Sequence, residues 1–338
     1  MEFKLQEQAE LIKNSIDKAN KILLHCHPFP DPDSIGSVLA MKEYLESRGK
    51  SVTAIIGDTG YPKNLRSLEL EREIKPLKYS DVKLEKFDLF LILDSSSKTQ
   101  ITNESKVEFP DNMMTIVIDH HKTNEGYGDI NLIGVDYAST THILYELFRL
   151  WNVEISQSMA LNLFIGIFAD TGGFKYVNTT PEVLSIAAKL ASINPNYHSI
   201  VFDIENCKSP IELKMMGLAL QNTKEFCNGK VAFSMLSYDI IKENNLSYND
   251  SLEGLIPDIL RSVINWDIVA SLVEVKRGET VVSLRTRRED IYDVSKITVL
   301  VGVNGGGHNG AAGTTVMRNC EETKEELLRV INDIYGLL

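Results

Sequence analysis

Lys21-Ile22-Leu23-Leu24-His25-Cys26-His27-Pro28-Phe29-Pro30-Asp31-Pro32-Asp33, with the run Ser34 to Arg48 behind it, decides the fold class. Residues 21–26 form a short, nearly unbroken apolar run, the pattern of a buried strand. From Ser34 the apolar residues Ile35, Val38, Leu39, Met41, Tyr44 and Leu45 fall on one helical face, and Gly49 stands where a helix would stop. Ser51 to Ile56, Phe87 to Leu93 and Thr115 to Ile118 repeat the strand signal. Strands separated by helical segments imply a mainly parallel sheet flanked by helices, an α/β arrangement. Ligands in such sheets gather beyond the carboxyl ends of the strands. Three of these four runs are followed at once by His27, Asp94 or Asp119.

The remainder fits a second, smaller α/β domain. Helical signals dominate Thr140 to Ile193, Asn194-Pro195-Asn196 breaks them, and Pro210 follows soon after. The domains are therefore expected at 1–193 and 215–338, with 194–214 as the linker. In the second, Val231 to Leu236, Ile268 to Lys276 and Thr280 to Arg285 read as strands. Lys276-Arg277-Gly278-Glu279 reads as a hairpin turn, and Gly302 to Gly313 as a glycine-rich loop. A length of 338 residues suits two domains of about 150. At 43% hydrophobic and 24% charged, the composition is that of an ordinary globular protein.

Cys26, Cys207, Cys227 and Cys320 show no paired spacing, which argues against a disulfide framework or a zinc ribbon. Apolar stretches such as Leu161 to Ala169 fall short of the roughly 18 residues a membrane helix needs. The opening residues lack the basic-then-apolar order of a signal peptide, so a cytoplasmic location is expected. A net charge of −12 argues against binding long nucleic acid. It is compatible with a small anionic substrate held by metal ions, since two divalent cations would offset four of those charges.

Four places carry candidate chemistry. In His27–Asp33 the prolines favour extended backbone, so Asp31 and Asp33 are expected on one side, with His27 four residues before Asp31. A metal site and a helix N-cap at Asp33 or Ser34 explain this cluster equally well. His25 reads as a strand residue, and Cys26 should point into the core. Asp94, ahead of Ser95-Ser96-Ser97, reads by itself as a cap. Asp119-His120-His121 places three adjacent ionisable groups at a strand end, which is costly unless they are paired or metal-bound. Asp170 closes a helix-like run before Gly172-Gly173, and a carboxylate there opposes the helix dipole unless a cation is near. Together His27, Asp31, Asp33, Asp94, His120 and Asp170 are too oxygen-rich for structural zinc. They suit two ions such as Mn²⁺ or Mg²⁺, a pairing that recurs in phosphoryl chemistry. In the second half, Gly305-Gly306-Gly307-His308-Asn309-Gly310 lacks the Rossmann context. Its bare amides could form an anion nest, with Arg285 and His308 as further donors.

These residues are also where a resemblance lies. HPFPDPDSIGS at 27–37, ILDSS at 92–96, VIDHH at 117–121, FADTGGF at 168–174 and NGGGHNGAAG at 304–313 occur in this order. In this the chain resembles the DHH/DHHA1 phosphoesterases, and among them the nanoRNase-type proteins related to RecJ. The resemblance implies an N-terminal DHH domain with two manganese ions, and a C-terminal DHHA1 domain presenting substrate across a cleft. It implies that His27 and Asp31 hold one ion, that Asp33, His120 and Asp170 hold the other, and that Asp94 bridges. Asp119 would orient a neighbouring imidazole, and His121 would face the scissile phosphate. Gly305, Gly306, Gly307, His308 and Arg285 would bind the substrate's terminal phosphate or base. Many relatives carry an acid where this chain has His142.

The expected activity is a metal-dependent phosphodiesterase that degrades short oligonucleotides or linear dinucleotides to mononucleotides, with 3′-phosphoadenosine 5′-phosphate as a further substrate. A cyclic-dinucleotide phosphodiesterase is the alternative enzyme; a pyrophosphatase or polyphosphatase is disfavoured by the GGGH segment. A nucleotide-sensing protein without catalysis is disfavoured because all six ligand positions are filled. No membrane partner is expected, and the oligomeric state, a homodimer included, is left open.

Overall fold

The computed structural model describes residues 2–103, 107–246 and 255–337. It divides into two compact units, Met1–Cys207 and Lys208–Leu338. The first contains α1 (Glu2–Lys18), β1 (Lys21–His25), α2 (Pro32–Ser47), β2 (Ser51–Ile55), α3 (Leu70–Glu73), β3 (Leu89–Leu93), β4 (Met114–Asp119) and β5 (Ile130–Ile133). It continues through α4 (Thr140–Leu150), α5 (Gln157–Asp170), α6 (Pro181–Ile193) and α7 (Tyr197–Glu205).

The five strands are parallel, in the order β2-β1-β3-β4-β5. Alternate residues serve the two faces, as the pleat requires. Ile22, Leu24, Leu91, Leu93, Ile116 and Ile118 pack beneath Ile35, Met41, Phe148 and Leu163 of the helices. Leu23, Phe90, Ile92 and Val117 face Tyr79, Ile101, Val107 and Met113 on the other side. Cys26 is buried in the helical-face core, as expected. After β1 the chain runs outward to β2, then returns across to β3. The gap beyond the ends of β1 and β3 is therefore a topological switch point, where open α/β sheets hold ligands.

In the second unit are α8 (Pro210–Gln221), β6 (Thr223–Phe226), β7 (Val231–Leu236), α9 (Tyr238–Glu243), α10 (Leu255–Leu260) and β8 (Ile268–Lys276). They are followed by β9 (Glu279–Thr286), α11 (Val294–Val301), β10 (Val303–His308), β11 (Ala311–Val316) and α12 (Cys320–Tyr335). The sheet order is β10-β11-β9-β8-β7-β6, with only β7 and β8 paired in parallel. Phe233, Leu272 and Leu284 pack on Ile297, Leu327 and Ile331. Ala232 and Val269 face Met215, Ile256 and Leu260 on the opposite side.

Several local expectations change. Residues 194–214 carry α7 and the start of α8. The segment expected as a glycine-rich loop forms the hairpin β10–β11, with Gly306 opposite Gly313 and His308 opposite Ala311. β5, four residues long, is too short to stand out in the hydrophobic pattern, and β6 (Thr223-Lys224-Glu225-Phe226) is too polar. Among the described residues no helix is long and apolar enough to cross a membrane.

Two features of the first unit carry direct tests. At Gly36 of α2, a Cβ would lie 2.2 Å from the carbonyl oxygen of Asn162 in α5, so the two helices meet backbone to backbone. His142 sits in the first turn of α4, where its Nδ1 lies 3.3 Å from the Ala138 N–H. Its ring packs edge-on to Tyr137, 4.9 Å between centroids, and burial lowers its pKa to about 4. These contacts seat the His142 ring against Tyr137 and the entry to α4, next to the Thr140–Thr141 pair. Gly36→Ala should destabilise this unit by about 1–3 kcal/mol through overpacking. Calorimetry reads the effect, and an unchanged midpoint would mean that the helices separate freely. His142 is neutral in the folded chain, so its stabilisation is complete above pH 6.5 and lost as the pH falls towards about 4. The full loss is on the order of 3 kcal/mol. Urea midpoints should therefore fall more steeply with acid in the wild type than in His142→Asn; parallel pH profiles would contradict this.

Candidate active site

β1 stops at His25, and Pro28 and Pro30 carry the chain outward to α2. Asp31, in extended conformation, is the N-cap of α2; its Oδ1 accepts the N–H groups of Asp33 and Ser34, both at 2.9 Å. The cap expected at Asp33 or Ser34 thus lies at Asp31, because Pro32 already occupies the first helical turn. Asp33 is helical, so the two carboxylates do not project to one side as expected. Asp31 joins His27 and Asp94, whereas Asp33 joins His120 and Asp170. In each group the ligand-type atoms lie within 4.8 Å of one another.

Asp94, immediately after β3, links the groups. Its Oδ2 is 3.5 Å from His27 Nε2, and its Oδ1 is 3.7 Å from His120 Nε2. Its backbone is left-handed, with φ 55°, a conformation that costs a non-glycine residue on the order of 1 kcal/mol or more. At the end of β4 the buried Asp119 accepts from the His120 N–H at 2.9 Å, His121 Nδ1 at 2.8 Å and Asn124 Nδ2 at 2.7 Å. His121 keeps 43% of its side chain exposed, so the ring that Asp119 orients is open on its other edge. Asp170, the last residue of α5, places Oδ2 at 3.1 Å from His120 Nε2.

Three positioning residues went unnoticed in the sequence. Thr140 N–H and Thr141 N–H donate to the fully buried Asp33 at 2.7 and 2.9 Å, and Thr141 Oγ1 adds a third bond at 2.6 Å. Thr140 Oγ1 donates to Asp94 at 3.0 Å. The N-terminus of α4, capped by Ser139, is thereby aimed at the carboxylate cluster. The signal was Ser139-Thr140-Thr141 ahead of an apolar run, which marks a helix start but does not name the distant anion it serves. Gly166 is the third: a Cβ there would lie 2.5 Å from Asp33 Oδ1 and 2.3 Å from Thr141 Oγ1.

Electrostatically the cluster is short of positive charge. Burial, then the charges of Asp94 and Asp170, push Asp33 well above the usual carboxylate range, against three donors that favour its ionised form. Burial also raises Asp170, to about 6, although His120 opposes this. Burial would lower both imidazoles, yet Asp31 and Asp94 raise His27 to about 11, and Asp170 with Asp33 and Asp94 raises His120 to about 10. Protons held this tightly stand in for cationic charge that the donor set calls for. Four carboxylates and two imidazoles, without a thiolate, fit divalent ions that prefer oxygen and nitrogen. Asp119 differs: burial raises its pKa, but the bonds from His121 and Asn124 overcome this and hold it below the ordinary value.

In the second unit, Ala311 lies opposite both His308 on β10 and Arg285 on β9. Residues in one such row point to the same face, so His308 and Arg285 share a face about 10 Å apart, two strand spacings. Arg285 Nε donates to Asp258 Oδ1 at 3.1 Å. Gly305 to Gly307 lie on an edge strand whose register against β11 shifts between Val303 and Gly306, with Asn304 at φ 58° and Gly307 at φ 137°. At Gly305 and Gly307 close packing needs the missing side chain, since a Cβ would lie 2.1 Å from the Thr298 carbonyl oxygen and 2.5 Å from that of Ala311; a Cβ on Gly306 would meet open space.

Comparison with known proteins matches this geometry to a family. A family model described as the DHH family, N-terminal domain, matches residues 21–167. The bifunctional oligoribonuclease and PAP phosphatase NrnA of Thermus thermophilus is 31% identical over 320 residues, covering 91% of this chain and 90% of that protein. The protein of the same name from Bacillus subtilis is 24% identical over 337 residues, with 98% of each covered. In fold, the chain is similar to the crystal structure of an exopolyphosphatase-related protein from Bacteroides fragilis, with a TM-score of 0.86 at 24% identity, covering 98% of this chain and 97% of that one. With acid and imidazole groups ordered along the ends of β1, β3, β4 and α5 and a relative this similar over nearly its whole length, the chain belongs to the DHH family of phosphoesterases, in its DHH/DHHA1, nanoRNase-type branch.

Proposed function

We propose that this chain is a metal-dependent phosphodiesterase that hydrolyses very short oligonucleotides or linear dinucleotides to mononucleotides, and that it also removes a phosphate from 3′-phosphoadenosine 5′-phosphate. The observation that carries the reading is Asp94, whose two oxygens face two separate carboxylate–imidazole groups at the switch point. The names of the Thermus thermophilus and Bacillus subtilis relatives support the substrate class. His27 and Asp31 would hold one ion, Asp33, His120 and Asp170 the other, with Asp94 shared and Mn²⁺ preferred over Mg²⁺. Such a pair supplies an acidified water and charge neutralisation at a phosphoryl group.

The chain's own residues do the rest. Asp119 accepts the Nδ1 proton of His121 and so fixes which ring nitrogen carries it. That bond, the largest influence on His121, raises its pKa. The protonated ring then donates from Nε2 to a phosphoryl or leaving oxygen as charge develops there. Thr140 and Thr141 keep Asp33 and Asp94 from turning away from the reaction centre. Arg285 and His308 would bind the far end of the substrate, which makes short length a matter of recognition.

Incubation with dinucleotides, longer RNA, cyclic dinucleotides and 3′-phosphoadenosine 5′-phosphate, with products resolved by chromatography, tests the reading. Mononucleotides should accumulate from dinucleotides, stop on chelation, and return with Mn²⁺ better than with Zn²⁺. Asp94→Ala should lower turnover by more than the 10- to 100-fold (roughly) lost with an outer partner of a metal ligand. Near-normal turnover in that variant would remove the bridging role. Arg285→Ala should raise KM for dinucleotides by roughly tenfold or more, each charged hydrogen bond being worth about 1.5–3 kcal/mol. If Arg285→Ala and His308→Ala both keep the wild-type preference for dinucleotide over longer RNA, length is not read by the second unit.

A further inference from the structure

Phe29 is unexplained by the fold. Its side chain is 66% exposed between the half-buried Pro28 and the buried Pro30. Its backbone is left-handed, with φ 57°, which crowds the Cβ of any residue but glycine. The Phe29 N–H donates to Thr59 Oγ1 at 2.7 Å, and the two prolines restrict the chain on either side. An unfavourable backbone is thus held firmly in place, yet the ring it presents enters no core. Strain of this kind with no packing return gathers at ligand sites.

The position supplies the ligand's chemistry. Phe29 is two residues from His27 and two from Asp31, so its Cα is within about 7 Å of each. A phosphate held by those residues has its nearest base one ribose away. A flat apolar ring on a rigid stalk suits that base and loses little freedom on binding it. Stacking of this kind accepts every base, because each has a π-face.

We propose that Phe29 is the stacking platform for the nucleobase next to the scissile phosphate, so that the first unit selects nucleotides over base-free phosphates. The inference rests on the phosphodiesterase reading above for the position of the phosphate.

The test is binding of AMP and of ribose 5-phosphate to the full chain in Mn²⁺, by isothermal titration. The two ligands carry the same phosphate and differ by the base. The wild type should prefer AMP by about tenfold or more. In Phe29→Ala the preference should collapse towards one while ribose 5-phosphate binds as before. Phe29→Tyr should keep it, and Phe29→Leu, similar in bulk without a π-face, should lose most of it. No AMP preference in the wild type overturns the proposal. So does a wild-type preference retained in Phe29→Ala, or an equal loss for both ligands, which would mean that Phe29 only shapes the loop between His27 and Asp31. The phosphodiesterase reading fails separately, on absence of turnover with every phosphodiester tried.

Discussion

Four carboxylates crowded at the strand ends, Asp33 and Asp94 among them buried, repel one another, and the structure of the first unit is organised around making that tolerable. The N-terminus of α4 meets Asp33 with two backbone N–H groups and the Thr141 hydroxyl, while Thr140 reaches Asp94. Charge-assisted bonds of this type are roughly twice as strong as neutral ones, and the dipole of α4 adds to them. They leave the carboxylates fixed in direction but still rich in negative charge, which is what a cation site needs. The packing serves the same end. Gly36 lets α2 and α5 meet backbone to backbone, and any side chain at 166 would enter the space of Thr141 and of Asp33 itself. Core geometry and site geometry are here one constraint.

Much of this was legible in the sequence, for reasons that can be named. β1, β3 and β4 are apolar because they are buried on both faces, and a His or Asp placed directly after such a run has only the ligand side of the sheet to occupy. Asp170 was legible through a conflict, an anion where a helix dipole disfavours one. The errors arose where backbone geometry outranked residue type. Pro32 was read as prolonging extended chain, whereas it opens α2, so Asp31 and Asp33 separate into different groups. Thr140 and Thr141 were invisible as partners of Asp33 because more than a hundred residues intervene, and helix-start chemistry is local.

The second unit shows the same limit from another side. Bare glycine amides suggest an anion nest, and the fold adds a second demand at Gly305, where α11 passes too close for a Cβ. Only the pairing register brings out what the segment offers. Ala311 sets His308 and Arg285 in one row, so an imidazole and a guanidinium from distant parts of the chain share a face. Asp258 anchors that guanidinium from α10. A sequence motif can name such residues one by one, but the row exists only once three strands have paired.

Two residues beside the pocket, Asp94 and Phe29, are left-handed without being glycine, and the contrast between them is instructive. Aspartate is among the few residues whose short polar side chain tolerates that region. At Asp94 the turn after β3 aims one oxygen at each group, which an extended backbone continuing the strand would not do. Glycine would relieve the backbone and abolish the carboxylate; alanine would keep the strain and lose the contacts. Conformation and chemistry therefore select the same residue there. Phenylalanine has no such tolerance. Its left-handed backbone is held by Thr59 and two prolines, while its ring is left in solvent and adds no core packing. A base stacked on the ring when the site is in use would supply the compensation that the chain's own packing does not.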